Sequence, residues 1–464
     1  MMPPPDDSPP PEPAPAGWLE RAAARLEFNR AVAYALLLRG WQLAAGAVSA
    51  VLISLYFTPD VQGYYYTFSS LLSLQALFEL GCGQVVTNLC SHEWSSLELD
   101  EHGRVAGDAA ARSRLVHLSR LLFRLYGALF VVFTATVGFG GALFLTQQPP
   151  GGVEWRGPWF ALVAASGLLL WTMPFNAMLE GCHQVTTVNR FRLIQAMCAN
   201  VAVWVALVLR ANLWVAVIAT GVRVAVELVL LLVRYRRFFA SLFGVAVTKS
   251  FSWSREVWPL QWRLGLQSAF GFLSTSLYVP VMFFYQSKAV AGRMGMTWMM
   301  LFAVQSAALA WVYARIPQFG ILVARKEYRA LDRLFGRLSV ISVAAVTLGG
   351  AALVGVVVLL DQWQVPLGER ILPPLETAVF AAAFAVLQWS HCLAAYLRAH
   401  KRDPLWVANL LFYTASGVAA WYFGSRFGPL AAGLGYLGTV LLLNTPLQTG
   451  IWLVCRREWH RDGR

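Results

Sequence analysis

Charged side chains interrupt the long apolar stretches of this sequence, and five of them lie deep in those stretches: Arg39, Glu79, Arg223, Glu227 and Arg263. A charge in the hydrocarbon core of a membrane is costly, so such residues usually face a cavity, a partner or the interface, and are candidates for function. Arginine binds phosphate oxygens with two parallel hydrogen bonds, which suits a phosphate or diphosphate ligand. The carboxylates are instead suited to cations or protons.

Arg39 and Arg263 occupy similar positions in two halves of the chain. Arg39 lies about eight residues into an apolar run, roughly 12 Å along a helix, and Arg263 about six residues, roughly 9 Å, into another. Two interpretations remain open. Either both side chains extend to the headgroups or form structural pairs, or both face inward as an anion site. The matched positions favour the anion site and suggest an internal repeat.

The acidic residues carry similar alternatives. Glu79 follows Gln75 by one helical turn, so both share a face, and Glu79 is either a functional carboxylate or the ion-pair partner of Arg39. Arg223 and Glu227 are spaced to pair on one helix face, where they either lock the helix or line a cavity or a proton-coupled site.

Amides and aromatic rings accompany these charges, and both suit sugar rings. We therefore add Gln75 and Gln267 to the candidate substrate-binding residues, although polar and aromatic residues are also common at membrane interfaces.

The composition predicts a polytopic membrane protein. Of the 464 residues, 58% are hydrophobic and 13% are charged, about half the charged fraction of a soluble domain. The apolar runs are continuous and rich in Leu, Ala and Val, which favours helices over a barrel. The expected fold is all-α, with about twelve transmembrane helices in two six-helix lobes. The twelve predicted spans are 31–57, 62–89, 121–146, 158–180, 193–209, 213–233, 257–285, 294–313, 338–360, 377–397, 404–423 and 428–454.

The distribution of basic residues supports this count. With the N-terminus inside, 27 of the 37 Lys and Arg residues lie in the inner segments and 6 in the outer loops. Such asymmetry predicts that both termini are cytoplasmic. The net charge of +13 is therefore a topology signal, and we expect no nucleic-acid partner.

The same boundaries divide the chain into five parts. We predict a disordered tail over 1–16, an N-terminal lobe over 17–235, a cytoplasmic linker over 236–256, a C-terminal lobe over 257–455 and a cytoplasmic tail over 456–464. Within the inner segment 314–337, the run RKEYRALDRLFGR (325–337) predicts an amphipathic surface helix.

Nothing in the sequence indicates a metal, a cofactor or catalysis. The six cysteines form no CxxC motif and the seven histidines show no ligand spacing, so buried structural cysteines are expected. The outer loops are short and carry few acidic residues, whereas a polytopic glycosyltransferase or ligase needs acidic or histidine-bearing outer loops. We therefore expect no enzyme.

Several motifs resemble bacterial oligosaccharide flippase-like proteins of the multidrug/oligosaccharidyl-lipid/polysaccharide (MOP) flippase superfamily, and the similarity covers most of 30–340. These motifs are VQGYYYTFSSLLSLQALFELG (61–81), SHEW (91–94), EVWPLQWRLGL (256–266), VAGRMGM (290–296) and ARIPQFGILVARKEYRALDRLF (314–335).

The resemblance implies two lobes related by a pseudo-two-fold along the membrane normal and enclosing a central cavity. It also implies a flippase that moves a polyprenyl-diphosphate-linked oligosaccharide, an O-antigen, capsule or exopolysaccharide unit, across the bacterial inner membrane. Arg39 and Arg263 match the role of cationic cavity residues. The expected partners are the lipid-linked oligosaccharide, membrane lipids and polysaccharide polymerase or assembly proteins.

Two alternatives accompany this expectation. A drug or cation antiporter of the same superfamily would need carboxylates in the membrane, and the deep arginines outnumber the deep carboxylates. A membrane component of polysaccharide assembly that transports nothing would tolerate loss of both arginines.

Overall fold

The structure is a computed structural model that describes residues 30–79, 81–149, 152–243, 258–400 and 402–460. The predicted tail 1–16 lies outside these residues. The described chain is almost entirely helical, which confirms the predicted all-α class. Its helices are α1 (Arg30–Tyr56), α2 (Pro59–Leu72), α3 (Gln75–Glu79), α4 (Cys82–Trp94), α5 (Ala109–Thr146), α6 (Arg156–Gly181), α7 (Val185–Val208), α8 (Trp214–Leu228), α9 (Arg236–Phe243), α10 (Trp258–Thr275), α11 (Tyr278–Tyr285), α12 (Lys288–Tyr313), α13 (Ile316–Ala324), α14 (Tyr328–Gln362), α15 (Pro374–Ala399), α16 (Trp406–Phe427), α17 (Pro429–Thr439) and α18 (Thr445–Trp459).

Nine helices in the described chain are long and apolar enough to cross a membrane, and α10 with α11 forms a tenth candidate as a bent pair. The predicted twelve included two further spans. One is 62–89, which the structure breaks into α2, α3 and α4. The other corresponds to α16, which is 22 residues long but contains polar side chains such as Asn409 and Ser416.

Two predicted spans are broken for identifiable reasons. Between α3 and α4, Gly81 adopts the left-handed conformation with φ +66°, which glycine reaches without steric cost. The helices α10 and α11 meet at 45° just before Pro280. Proline lacks the N–H that would bond to the carbonyl four residues earlier and its ring clashes there. That carbonyl belongs to Ser276, which lies at the break.

Two helices extend well beyond the membrane. The helix α5 has 38 residues and α14 has 35, or roughly 57 and 52 Å, against about 30 Å of hydrocarbon. The extension of α14 corrects one prediction. Residues 328–337 of the RKEYRALDRLFGR run are the first turns of α14 rather than a separate surface helix, because nothing after Tyr328 interrupts the helix.

A short hairpin precedes α5. Strands β1 (Leu97–Leu99) and β2 (Val105–Gly107) pair antiparallel. The Asp100 carboxylate accepts from the backbone N–H groups of Arg104 at 2.7 Å and His102 at 2.9 Å. The bond from Arg104, and to a smaller extent the bond from His102, lowers the pKa of the Asp100 carboxyl.

Helix pairing repeats in the two halves of the chain, which defines two lobes. In the first lobe α1 packs on α7, α7 on α8, α5 on α6, α4 on α6, and α6 on α8. In the second lobe the corresponding pairs are α10 with α16, α16 with α17, α14 with α15, α12 with α15, and α15 with α17. The predicted linker 236–256 begins as helix α9, which packs on α5 and β2.

The contacts between the lobes follow the same symmetry. Helix α2 packs on its counterpart α12, and α10 packs on α3 as α1 packs on α12. A pseudo-two-fold axis that passes between α2 and α12 accounts for both facts.

Candidate functional site

The lobes touch through the first turns of α2 and α12, which begin alike. The Thr58 hydroxyl caps α2 by accepting from the N–H of Val61 at 3.3 Å, and the Ser287 hydroxyl caps α12 by accepting from the N–H of Val290 at 3.2 Å. In each helix a glycine follows two residues after the valine. These glycines, Gly63 and Gly292, are therefore equivalent in the repeat.

The two glycines allow the backbones of the lobes to approach closely. A Cβ atom on Gly63 would lie 2.1 Å from the carbonyl oxygen of Lys288, and one on Gly292 would lie 3.0 Å from the backbone nitrogen of Gly63. One turn further along α12, a Cβ atom on Gly295 would lie 2.4 Å from Cβ of Tyr66. Larger residues at 63 or 295 would thus push the lobes apart.

Hydrogen bonds reinforce this contact. The Gln62 side chain, 1% exposed, donates from Nε2 to the carbonyl oxygens of Gly292 and Arg370, both at 3.0 Å. The Gln148 Nε2 donates to the Phe284 carbonyl at 2.8 Å. The bonds cross from the first lobe to backbone acceptors of the second.

Lys288 supplies a charge at the same place. It is 8% exposed, and its Nζ donates to the Pro149 carbonyl at 2.6 Å and lies 5.3 Å from the centroid of the Tyr64 ring. A cation in the first turn opposes the helix dipole, so the carbonyl and the ring face compensate it. We call the contact formed by Gln62, Gly63, Lys288, Gly292 and Gly295 the closed end.

Three helices of the first lobe meet around Glu227, which is buried on α8. Its carboxylate accepts a hydrogen bond from Asn176 Nδ2 on α6 and one from Gln195 Nε2 on α7 at 3.5 Å. The alternative in which Glu227 pairs with Arg223 is wrong for the described residues, because these two side chains form no ion pair within 4 Å there. Amides rather than a guanidinium hold the carboxylate.

Arg223 is exposed and forms no ion pair with the described residues. Its backbone carbonyl oxygen accepts from Gln195 Nε2 at 2.9 Å. Arg223 lies nine residues after the start of α8, or roughly 14 Å along the helix, which places it near the middle of the span.

Gln75 and Glu79 share a face of α3, as predicted, and Gln75 Nε2 donates to Glu79 Oε1 at 3.3 Å. The alternative of an Arg39–Glu79 ion pair is wrong for the described chain, in which these residues form none. Helix α3 packs on α10, the helix that carries Arg263 and Gln267. The break in the second span therefore brings this carboxylate next to the second lobe.

The structure places the two arginines of the predicted anion site on α1 and α10. Arg39 is exposed and forms no hydrogen bond or ion pair with the described residues. Arg263 lies in the second turn of α10, and its side chain is outside the described residues. The contacts of this predicted pair of guanidiniums are thus untested.

In the second lobe, Gln267 connects the carboxylate of Asp403 to a series of hydrogen-bonded amides. Its Nε2 donates to Asp403 Oδ2 and its Oε1 accepts from Asn409 Nδ2, both at 3.4 Å. Gln448 Nε2 then donates to Asn409 Oδ1 at 2.9 Å, so the hydrogen-bond series continues to a side chain of α18.

This series of hydrogen-bonded amides ends deep in the second lobe. Gln448 Nε2 also donates to Asn444 Oδ1 at 2.7 Å, and Asn444 Nδ2 donates to Ser390 Oγ at 2.9 Å. Asn444 and Gln448 are 1% and 3% exposed. The sequence analysis did not select them, although two amides four residues apart in an apolar helix are a usable signal. The polar residues of the closed end were missed as well, since Gln62 is the first residue of a predicted span and Lys288 lies in a predicted outer loop.

No family model matches the chain, and no curated protein matches its sequence. Solved structures do match. An inward-facing multidrug resistance MATE family transporter of the MOP superfamily superposes with a TM-score of 0.64 at 12% identity, over 90% of this chain and 95% of that chain. The chain has the fold of the MOP superfamily transporters. This confirms the resemblance at the level of fold.

Two further structures with this MOP fold show its range. The lipid II flippase MurJ, in an inward closed conformation, matches with a TM-score of 0.60 at 9% identity, over 90% of this chain and 87% of that chain. A MATE family transporter of the MOP superfamily in an outward-facing conformation matches with a TM-score of 0.54 at 13% identity, over 92% and 96%. The MOP fold thus serves a flippase and multidrug resistance transporters.

Proposed function

We propose that the chain is a transporter that moves a polyprenyl-diphosphate-linked oligosaccharide across a bacterial inner membrane by alternating access. This proposal rests on which charged side chains inside the lobes have partners. Glu227 is bonded to two amides and Glu79 to one, whereas Arg39 and Arg223 form no ion pair with any described residue. Within the membrane-spanning helices, the arginines are therefore the charged side chains that are available to bind a ligand.

An anion is the complementary ligand. The diphosphate of a lipid-linked saccharide carries two or more negative charges and offers oxygens that a guanidinium binds bidentately. The amides Gln75 and Gln267 supply donors and acceptors for sugar hydroxyls. The polyprenyl chain stays in the bilayer, where it remains solvated by lipid. Arg39, Arg223 and Arg263 are therefore the proposed anion-binding residues.

The position of the closed end supports an inward-open state of the transporter. With both termini in the cytoplasm, as the loop charges predict, the closed end lies at the outer surface and the site opens inward. The higher TM-score of the inward-facing neighbour, 0.64 against 0.54 for the outward-facing one, agrees with this assignment. Substrate loading from the inner leaflet then precedes opening of the closed end.

The membrane potential favours the proposed direction. An inside-negative potential drives anions outward by about 2.3 kcal/mol per charge per 100 mV. Two net charges thus contribute about 4–5 kcal/mol at 100 mV, provided that the arginines do not move with them. Glu79 and Glu227 are the candidates for an additional coupled proton or cation.

Reconstitution tests this proposal. Proteoliposomes would contain a fluorescent polyprenyl-diphosphate sugar, and its exposure on each leaflet would be followed by quenching from outside, under imposed potentials of either sign. The variants are Arg39→Ala, Arg223→Ala and Arg263→Ala. Arg124→Ala is the matched control, because Arg124 is an exposed arginine of a spanning helix that is not assigned to the site. We expect each site variant to slow flipping by tenfold or more and the control to change it little.

The possible outcomes separate the competing functions. Flipping that survives all three substitutions would reject the anion site and keep the transporter. No flipping of any lipid-linked sugar by the wild type would reject the substrate class. In that case, export of cationic dyes that Glu79→Gln or Glu227→Gln abolishes would establish a cation antiporter. Transport of neither class would leave a non-transporting component of polysaccharide assembly.

A further inference from the structure

A cationic cavity lies at the far end of the second lobe from the closed end, where α14 begins and α18 ends. It has a volume of about 1140 Å³. Its lining contains five cationic side chains and two acidic ones, together with Tyr328, Ala330 and His460; the charged residues are Lys326, Arg329, Arg333, Arg456, Arg457, Glu327 and Asp332. The excess of cations indicates an anionic ligand.

The cavity is built on a fixed framework. Arg456 Nε and Nη2 donate to Asp332 Oδ2 at 3.0 and 2.6 Å, and Tyr396 donates its hydroxyl to Asp332 Oδ1 at 2.7 Å. Tyr328 stacks on His460 with ring centroids 4.0 Å apart. Because Asp332 is already engaged by Arg456 and Tyr396, it does not neutralise the remaining basic residues.

The exposed arginines of the cavity share a helix face with an apolar groove. A groove of about 530 Å³ between α14 and α15 is lined by Ser339, Val340, Val343, Ala344, Thr347, Leu348 and Trp389. Arg333 and Val340 are seven residues apart, or two turns, so they lie on one stripe of α14. The distance from one to the other along the helix is roughly 10 Å.

A cationic cavity with an apolar groove two turns further along the same helix face has the polarity of an anionic phospholipid. We propose that the cavity binds the headgroup phosphate of an anionic phospholipid and that the groove on α14 holds one of its acyl chains. The predicted topology places the cavity at the inner leaflet, where basic residues beside a membrane helix attract anionic lipids. This site is separate from the path proposed for the transported molecule.

Native mass spectrometry of the full chain tests this proposal. Phosphatidylglycerol and phosphatidylcholine of identical acyl chains would be added to the protein in detergent. The variant is Arg329→Gln with Arg333→Gln, which leaves the Asp332–Arg456 bonds intact. The control is Arg190→Gln with Arg315→Gln, two exposed arginines that line neither the cavity nor the groove. Since one basic side chain contributes about fivefold to binding near an anionic surface, the loss of two should lower the phosphatidylglycerol affinity of the variant about 25-fold.

Two further measurements distinguish a lipid from a soluble anion. Ala344→Trp fills the groove and should weaken phosphatidylglycerol binding several-fold, and inorganic phosphate should compete only weakly. If Ala344→Trp has no effect and phosphate displaces the lipid, the cavity is a site for soluble phosphates and the lipid assignment is wrong. Equal phosphatidylglycerol binding by the variant and the control would reject the cavity altogether. Circular dichroism melts of all proteins check that each is folded.

Discussion

The first turns of α2 and α12 are the same structure built twice, and their differences explain how the lobes fit together. Each has a hydroxyl cap, a valine that donates to it and a glycine two residues later. At the other positions they diverge: Gln62 corresponds to Ala291, and Tyr66 to Gly295. The large side chains of α2 thus lie against the small residues of α12. Two identical first turns would place identical side chains against each other. The differences between α2 and α12 instead make their contacting surfaces complementary in shape.

This comparison predicts a graded series of effects at the closed end. One reporter serves them all, a cysteine at the buried position Ala291 in a background without the native cysteines. Its rate of reaction with a membrane-impermeant maleimide measures how often the closed end opens.

Gly63→Ala should have the largest effect. Its new methyl group would lie 2.1 Å from a backbone oxygen of the opposite lobe, and overpacking of this kind costs about 1–3 kcal/mol. We expect labelling of the reporter to rise by tenfold to a hundredfold. Gly46→Ala on α1 is the control, because nothing lies within 4 Å of a Cβ atom there. Equal labelling of the two variants would show that the backbones do not need this approach.

Gly295→Ala should have the second largest effect. The added Cβ atom would lie 2.4 Å from Cβ of Tyr66. We expect labelling to rise about tenfold, less than for Gly63→Ala, because a side chain yields more easily than a backbone carbonyl. Gly40→Ala, another open position on α1, is its control. A larger increase than for Gly63→Ala would place the tightest contact one turn further along α12.

Gln62→Ala should have a smaller effect. It removes two hydrogen bonds to the carbonyls of Gly292 and Arg370, each worth about 0.5–1.5 kcal/mol. At the lower end of this range the two bonds together contribute about 1–1.4 kcal/mol, so labelling should rise about fivefold to tenfold. Gln42→Ala, which removes an exposed amide of α1, should leave it unchanged. No difference between these two amides would mean that packing alone holds the closed end.

Lys288→Met should have the smallest effect. It removes the bond to the Pro149 carbonyl but also the cost of a buried cation at a helix N-terminus. With these contributions opposed, labelling should rise less than fivefold. The result is checked against Lys288→Ala, which removes the packing of the side chain as well and should label faster. An increase for Lys288→Met as large as that for Gly63→Ala would make the charge the main element of the contact.

The predictable part of the fold followed from hydropathy. Apolar runs locate almost every membrane helix, and the two halves are visible in Arg39 and Arg263. The break between α3 and α4 was not predicted, because it depends on the left-handed Gly81, and a glycine in an apolar run is equally compatible with a continuous helix. The length of α14 was missed since its polar first turns resemble a surface helix.

The candidate site was less predictable than the fold. Spacing correctly placed Gln75 and Glu79 on one face, but it suggested an Arg223–Glu227 pair that the structure replaces with Asn176 and Gln195. Those amides lie on other helices, and the spacing of residues within one helix does not predict which side chains of neighbouring helices they contact. The closed end depends on backbone approach between distant segments, for which the sequence offers only the three glycines Gly63, Gly292 and Gly295.

The central claim is that the closed end must open for the substrate to cross. It is tested by Gln62→Cys with Gly292→Cys in the background without native cysteines, since a Cβ atom on Gly292 would lie 3.2 Å from Gln62 Cγ. The control pair is Gly350→Cys with Ala381→Cys within the second lobe, with Cβ atoms 3.3 Å apart. Flipping of the fluorescent polyprenyl-diphosphate sugar would be measured after oxidation and again after reduction. The account predicts that oxidation stops flipping only in the interlobe pair and that reduction restores it; unchanged flipping with the interlobe disulfide formed would contradict alternating access.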